Sequence, residues 1–404
     1  MKSLPLFLIL LTAPCFAADW PQYRGPSANG TTDESLGGPF KQLWKIPVGT
    51  AFGSFAIVGD KAFYFDCRGP NEVAHAVDAN TGKEFWSTPI DKTIYENEGG
   101  NGPRTTPAIA DGRVFLYSTY LKLVCLDADS GKPIWSHDIA REFGRGTNSA
   151  IDKWGNALSP LLQGDRVVVA GGGRDSSILA FEAKSGKLLW KTGSEIITQA
   201  SPTPATIGGV PQVIFWTTSG LVSVDPQNGR WLWSQRVKFN VATAASPVVG
   251  GDVVYCSAGY GTGAHAFRIT KNGDSFTSTP IWEKPGQLVN LWSTPIYHDG
   301  YLYGLYGFKE FRTMPLKCIE LKTGREIWSQ EGFGQGGLIL AGDKLLIQGD
   351  TGQLVMVKAT PAGYQELGRI HPLGGKCWQM PIFGDGKIIT RSDKQAVCLS
   401  ASMK

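Results

Sequence analysis

Two stretches of this chain concentrate side chains able to do chemistry. The first reads Tyr95-Glu96-Asn97-Glu98-Gly-Gly-Asn101-Gly-Pro-Arg104. The second reads Arg141-Glu142-Phe-Gly-Arg145-Gly-Thr-Asn148, followed by Asp152-Lys153-Trp154-Gly-Asn156. The oxygens of Glu96, Glu98 and Asn148 suit a hard cation such as calcium. Arg104 and Arg145 suit a carboxylate, which a guanidinium grips through two parallel hydrogen bonds. Asp152 is placed to act as a general base, and Trp154, Trp292 and Trp378 offer aromatic surface. A plainer reading competes. Loops rich in Asn, Gly, Glu and Arg ordinarily make their own turns in solvent, and Trp292 and Trp378 fall where inner-strand packing would bury them. The five histidines are scattered. His75 and His265 occupy matching repeat positions and read as structural, whereas His371, in an interblade link, is the one worth testing. Gly259-Tyr-Gly261-Thr-Gly263 resembles a nucleotide loop, but no helix is expected after it. No nucleophile elbow, His-Glu-x-x-His motif or Cys-x-x-Cys pair is present.

The elements that must position these residues are announced by a repeated phrase. Ala-Val-Asp-Ala-Asn-Thr-Gly-Lys-Glu-Phe-Trp ends at Trp86. Related phrases end at Trp135, Trp190, Trp233 and Trp328, and a degenerate copy runs from Ala266 to Trp282. In each, an apolar strand meets an acidic residue such as Asp78 or Asp127. A polar turn follows, closed by Gly82, Gly131, Gly186, Gly229 or Gly324. Asx side chains cap such turns and glycine supplies the left-handed position. The acidic residues are therefore turn-makers rather than catalysts. An upstream half repeats too: Thr106-Pro107, Ser159-Pro160, Ser246-Pro247 and Thr294-Pro295 each open a strand, a Gly/Asp turn and a second strand. Four short antiparallel strands per unit make one propeller blade.

Tryptophans 44, 86, 135, 190, 233, 282 and 328 recur at separations of 42 to 55 residues. A seventh unit from about Gly337 to Ile370 has lost its tryptophan. An eighth, from Trp378 to Leu399, lacks an outer strand. Leu43-Trp44-Lys-Ile-Pro-Val-Gly49 is the missing strand, so the N-terminal segment should complete the last blade. The expectation is an all-β, eight-bladed β-propeller of four-stranded antiparallel blades over residues 18–404, with seven blades as the alternative. On such a scaffold the interblade links and the loops between middle strands share one face. The links at Ser87–Arg104 and Ser136–Asn156 are the longest, and long loops on a rigid frame concentrate function.

Residues 1–17 read as a secretory signal: Lys2, an apolar run from Leu4 to Leu11, and small residues at Cys15 and Ala17. Pro14 argues against lipidation of Cys15, and no other segment is a transmembrane candidate. A formal net charge of +4 without a long basic run does not imply nucleic acid. Six cysteines remain after cleavage. Cys125, Cys318 and Cys398 share the repeat position of Ala76, Ala180, Ser223 and Ala266, where a small buried residue is wanted. Cys67, Cys256 and Cys377 are less constrained, and one disulfide among them is conceivable.

The phrase Ala-x-Asp-x-x-Thr-Gly-x-x-x-Trp resembles the repeat signature of the quinoprotein-type, or pyrroloquinoline quinone (PQQ) repeat, propeller family, and the resemblance covers Trp44 to Leu399. That family includes PQQ-dependent alcohol and glucose dehydrogenases and a periplasmic lipoprotein that helps assemble outer-membrane β-barrels without a quinone. The chain lacks the adjacent cysteines usual over the cofactor in the alcohol dehydrogenases, and it lacks a Cys-x-x-Cys-His haem segment. The leading expectation is therefore an exported, soluble, non-catalytic scaffold, periplasmic or extracellular and without cofactor. It would be a monomer or part of a complex, binding an envelope protein, peptide or glycan at its loop face. The alternative is a PQQ- and calcium-dependent dehydrogenase acting on an alcohol or sugar. In it Glu96, Glu98 and Asn148 hold the cation, Arg104 and Arg145 clamp the quinone carboxylates, Trp154, Trp292 and Trp378 form the aromatic floor, and Asp152 takes the substrate proton.

Overall fold

The computed structural model describes residues 19–96, 98–308 and 313–403; the segment read as a secretory signal lies outside them. Eight sheets follow one another along the chain, each built on an antiparallel ladder of four strands running from an inner to an outer edge, the seventh with a fifth strand added. The first blade comprises Ala56–Val58, Lys61–Arg68, Asn71–Asp78 and Glu84–Lys92. Blade 7 runs from Gly337 to Ile370. Blade 8 has three strands from the C-terminus, and Leu36–Pro47 is its outer strand, paired antiparallel with Gln395–Met403. The ring therefore closes through the N-terminal strand with eight blades, which excludes seven.

The register explains the repeated phrase. In seven blades the outer-strand tryptophan stands directly opposite a small residue on the neighbouring strand: Trp44 on Cys398, Trp86 on Ala76, Trp135 on Cys125, Trp190 on Ala180, Trp233 on Ser223, Trp282 on Ala266 and Trp328 on Cys318. Six of these indoles donate to a backbone carbonyl in the following blade, as Trp86 does to Ala128 at 3.0 Å and Trp44 to Ala79 at 2.9 Å. The phrase glycine of that following blade lies against the ring; a Cβ on Gly131, where φ is +68°, would sit 2.5 Å from Trp86. Glycine is thus required twice, for the turn and for the docking of the previous blade's tryptophan. Trp233 is the exception. The next blade carries the degenerate copy, a long hairpin of Gly263–Asn272 and Ser275–Lys284, and Trp233 bonds Gln212 of its own blade instead. In blade 7 the sizes are exchanged, with Met356 opposite Gly368.

The Ser/Thr-Pro pairs of the upstream halves form a second belt around the channel. The backbone N–H of Ser54 donates to the Thr106 hydroxyl, that of Thr106 to Ser159, that of Ser159 to Ser201 and that of Ser246 to Thr294, at 2.9–3.0 Å. Each hydroxyl thereby satisfies a backbone amide just before the inner strand of the preceding blade, which would otherwise be buried without a partner.

Residues 19–32 enter the channel, a feature the sequence did not announce. Trp20 pairs with Ile57 of blade 1, Pro21 accepts from Ile109 of blade 2 and the Gln22 side chain accepts from Leu162 of blade 3. Thr31–Thr32 adds a parallel strand to the inner edge of blade 7. Arg24 is buried and donates to the carbonyls of Asn29, Thr294 and Pro295. Burial lowers its pKa to about 10.

The second long link is not all loop. It holds two short helices, Ile139–Phe143 and Ser149–Trp154, each ended by a glycine with positive φ. All six cysteines of the described chain are free, so no disulfide joins Cys67, Cys256 and Cys377. Burial pushes the thiols of Cys125, Cys377 and Cys398 up to about 12. Among the described residues no helix is long and apolar enough to cross a membrane.

Candidate functional site

The interblade links converge on a cavity of about 490 Å³ at one mouth of the channel. Its walls include Phe52, Trp154, Trp292 and Trp378 from links and Tyr260 from a middle-strand loop, with Leu291, Leu338 and Met380 between them. Tyr23 of the inserted N-terminal segment reaches the same cavity, while its neighbours Gln22 and Arg24 line a second cavity of about 430 Å³ toward the other face. The segment therefore divides the channel.

The three tryptophans expected at the site do line it, each only partly buried. Trp378 packs against Trp292 with ring centroids 4.9 Å apart and against Phe52 at 5.5 Å. The Arg104 guanidinium lies over Phe52, 5.5 Å from its ring centroid. It donates to the carbonyls of Gly102 and Gly100, both at 2.9 Å, and stands 4.0 Å from Glu96. Burial lowers its pKa to about 10, against the opposing charges of Glu96 and Glu72.

The acidic residues are occupied by their own surroundings. Glu96 is buried and accepts from the backbone N–H groups of Glu98, Gly99 and Gly100. Burial works against its charge, yet these donors and Arg104 outweigh it and hold the carboxyl below the ordinary value. Glu98 lines the cavity and pairs with Lys153 at 2.7 Å. Asn148 caps the helix Ser149–Trp154: its side-chain oxygen accepts from Ala150 and Ile151, and its amide donates to Ile197. Asp152 accepts from Arg145 at 2.7 Å and from Thr147 at 2.9 Å, outside the cavity lining. Thus Glu98, Arg104 and the tryptophans come together, whereas Asn148, Arg145 and Asp152 form a separate structural cluster. Among the described residues no group of three or more His, Cys, Asp or Glu is placed to hold a metal ion. His371 is exposed and bonds the Thr351 carbonyl. His75 bridges Glu84 and buried Asp66 within blade 1, in keeping with a structural role.

The sequence model of the family described as outer membrane protein assembly factor BamB matches residues 70–304, more than half of the chain. The chain belongs to this family. A BamB from Shewanella oneidensis is 26% identical over 278 residues, which span 66% of this chain and 66% of that protein, just under two thirds of its length. The solved BamB of Moraxella catarrhalis superposes with a TM-score of 0.62 at 14% identity, covering 90% of this chain and 100% of that one. A quinohemoprotein alcohol dehydrogenase from Comamonas testosteroni gives 0.63 at 13% identity over 95% of this chain and 80% of its own. Identities this low in the solved structures speak for the shared ring alone.

Within this BamB-family propeller the sequence reading missed Phe52, Tyr260, Tyr23 and Lys376. Lys376 lies two residues before Trp378, and its ammonium sits 4.2 Å from the Trp378 centroid and 5.7 Å from that of Phe52. The signal was available for three of them, since Phe52 and Lys376 stand in interblade links and Tyr260 in a Gly-rich middle-strand loop. Tyr23 had none. Glu72 was missed as well. It is fully buried on a middle strand of blade 1 and accepts from the N–H and hydroxyl of Thr119 in blade 2. Burial raises its pKa to about 7, more than the Thr119 bonds lower it.

Proposed function

We propose that the chain is an exported, non-catalytic binding propeller whose mouth face engages an envelope protein or peptide, in the sense of its relatives' description as an outer-membrane protein assembly factor. The observation that carries this reading is the state of the mouth. An aromatic-walled cavity stands open there, while the acidic side chains expected to serve it are already used within and between the links. Such a site binds by shape and apolar contact.

The dehydrogenase reading finds support in the tryptophan floor and in Arg104. Its calcium does not fit the donors present: Glu96 is saturated by backbone N–H groups, Asn148 caps a helix and Glu98 is paired with Lys153. The group expected to take a substrate proton, Asp152, is held by Arg145 away from the cavity lining. The test is a titration of the purified protein with PQQ, with and without calcium, followed by tryptophan emission. No specific quenching is expected. Saturable, calcium-dependent quenching at micromolar ligand would replace the scaffold with a dehydrogenase. In the native host, loss of the chain should lower the amount of folded outer-membrane β-barrel protein; unchanged levels would count against a role in assembly.

A further inference from the structure

Lys376 stands apart from the other charges of the mouth. Its ammonium rests on the Trp378 and Phe52 rings and donates to the Gly99 carbonyl at 3.1 Å. The carboxylates nearby are spoken for, Glu98 by Lys153, Glu96 by its own loop and Asp393 by the backbone N–H of Lys376 at 3.0 Å. Among the described residues none is paired with the Lys376 ammonium. An ammonium held on aromatic faces beside an apolar cavity favours an anion arriving from solvent, because the approach of a carboxylate restores hydrogen bonds that the rings cannot supply.

The cavity also indicates what accompanies that anion. Trp378 is flanked by Phe52, Trp292 and Lys376, and Trp154 carries the Lys153 ammonium at 5.0 Å. The rings around Trp378 meet at tilted angles rather than as one flat platform, and Leu291, Leu338 and Met380 complete the lining. Such a lining suits an aromatic side chain inserted between them, in the tilted and edge-on contacts the site already uses. We propose that the mouth cavity captures an aromatic side chain on an extended peptide and that Lys376 pairs with a carboxylate neighbouring it. The proposal rests on the binding-propeller reading and names the segment bound.

The test uses the purified protein and three end-blocked pentapeptides: Gly-Gly-Phe-Asp-Gly, Gly-Gly-Phe-Asn-Gly and Gly-Gly-Ala-Asp-Gly. Calorimetry and tryptophan emission should give saturable binding of the first, with each of the others weaker by roughly tenfold, the scale of one charged hydrogen bond or one buried ring. Lys376→Gln should bring the Phe-Asp peptide down to the level of the Phe-Asn peptide, and Lys376→Arg should restore the difference. An unchanged unfolding midpoint in both variants shows that the ring is intact. Equal binding of the Asp and Asn peptides, or no binding of any, overturns the proposal and leaves the scaffold standing. Saturable binding of an oligouronate in place of the peptides also overturns it and assigns the cavity to an acidic glycan. Calcium-dependent binding of PQQ instead overturns the scaffold reading itself.

Discussion

At the scale of single residues, position near the mouth did not decide role; the hydrogen bonds each side chain already makes did. Glu96 and Asn148 have the oxygen atoms a cation wants, yet both spend them on backbone N–H groups, one closing a glycine-rich loop and the other starting a helix. Glu72, which nothing in the sequence marked, is a carboxyl buried on a middle strand. The folded chain raises its pKa from the ordinary 4.5 to about 7. Below about 4.5 the carboxyl is protonated in folded and unfolded chains alike. Between about 4.5 and 7 only the folded chain keeps the proton, so this group's contribution to stability falls as pH rises through that window. Above it the buried site must carry a charge. Glu72→Gln should therefore flatten the pH dependence of the unfolding midpoint between about 4.5 and 7 and stabilise the protein above that range. Thermal unfolding of both forms across the window measures this, and parallel curves would refute it.

At the scale of the blade, the repeated phrase is a device for joining neighbours. Gly131 and Gly112 have nearly the same φ, +68° and +70°, but a Cβ meets Trp86 at the first and nothing within 4 Å at the second. Gly112→Ala should cost only the left-handed backbone, about 1–2 kcal/mol. Gly131→Ala adds overpacking of about 1–3 kcal/mol. Chemical denaturation of the two variants separates these contributions; equal losses would mean that the Trp86 contact is without weight. Blade 7 offers the complementary case, since Met356 supplies bulk where Gly368 has none. Met356→Ala should destabilise by about 2–5 kcal/mol, and adding Gly368→Trp should recover part of it. The double-mutant cycle should show a favourable coupling of about 1–2 kcal/mol. Additive effects would mean that this pair does not obey the size rule of the other seven blades.

At the scale of the molecule, the ring is tied twice by its N-terminal segment. Leu36–Pro47 completes blade 8, and Trp44 carries the interblade bond across to Ala79 of blade 1. Upstream, residues 19–32 serve the inner edges of blades 1, 2, 3 and 7 while leaving those of blades 4 and 5 beside the second cavity. Removing residues 19–32 should lower the unfolding midpoint and expose the amides of Ile57, Ile109 and Leu340, which donate to that segment, to hydrogen exchange. Amides inside blades 4 and 5 should keep their protection. Uniform loss of protection would show that the segment supports the whole ring rather than the strands it touches.

The number of blades, the closure by Leu43–Gly49 and the burial of Cys125, Cys318 and Cys398 were all legible in the sequence, because each follows from local periodicity repeated often enough to reveal its own exceptions. The convergence of Trp154, Trp292 and Trp378 was legible in part, since links of one propeller face must share a rim. The course of residues 19–32 was not: no periodic pattern marks a segment whose partners come from five different blades. Nor was the separation of Glu98 and Arg104 from Asn148, Arg145 and Asp152. Residue type states which bonds a side chain can make. Which of them it has already made depends on backbone groups brought close by capping and ring closure, and only the tertiary structure settles that.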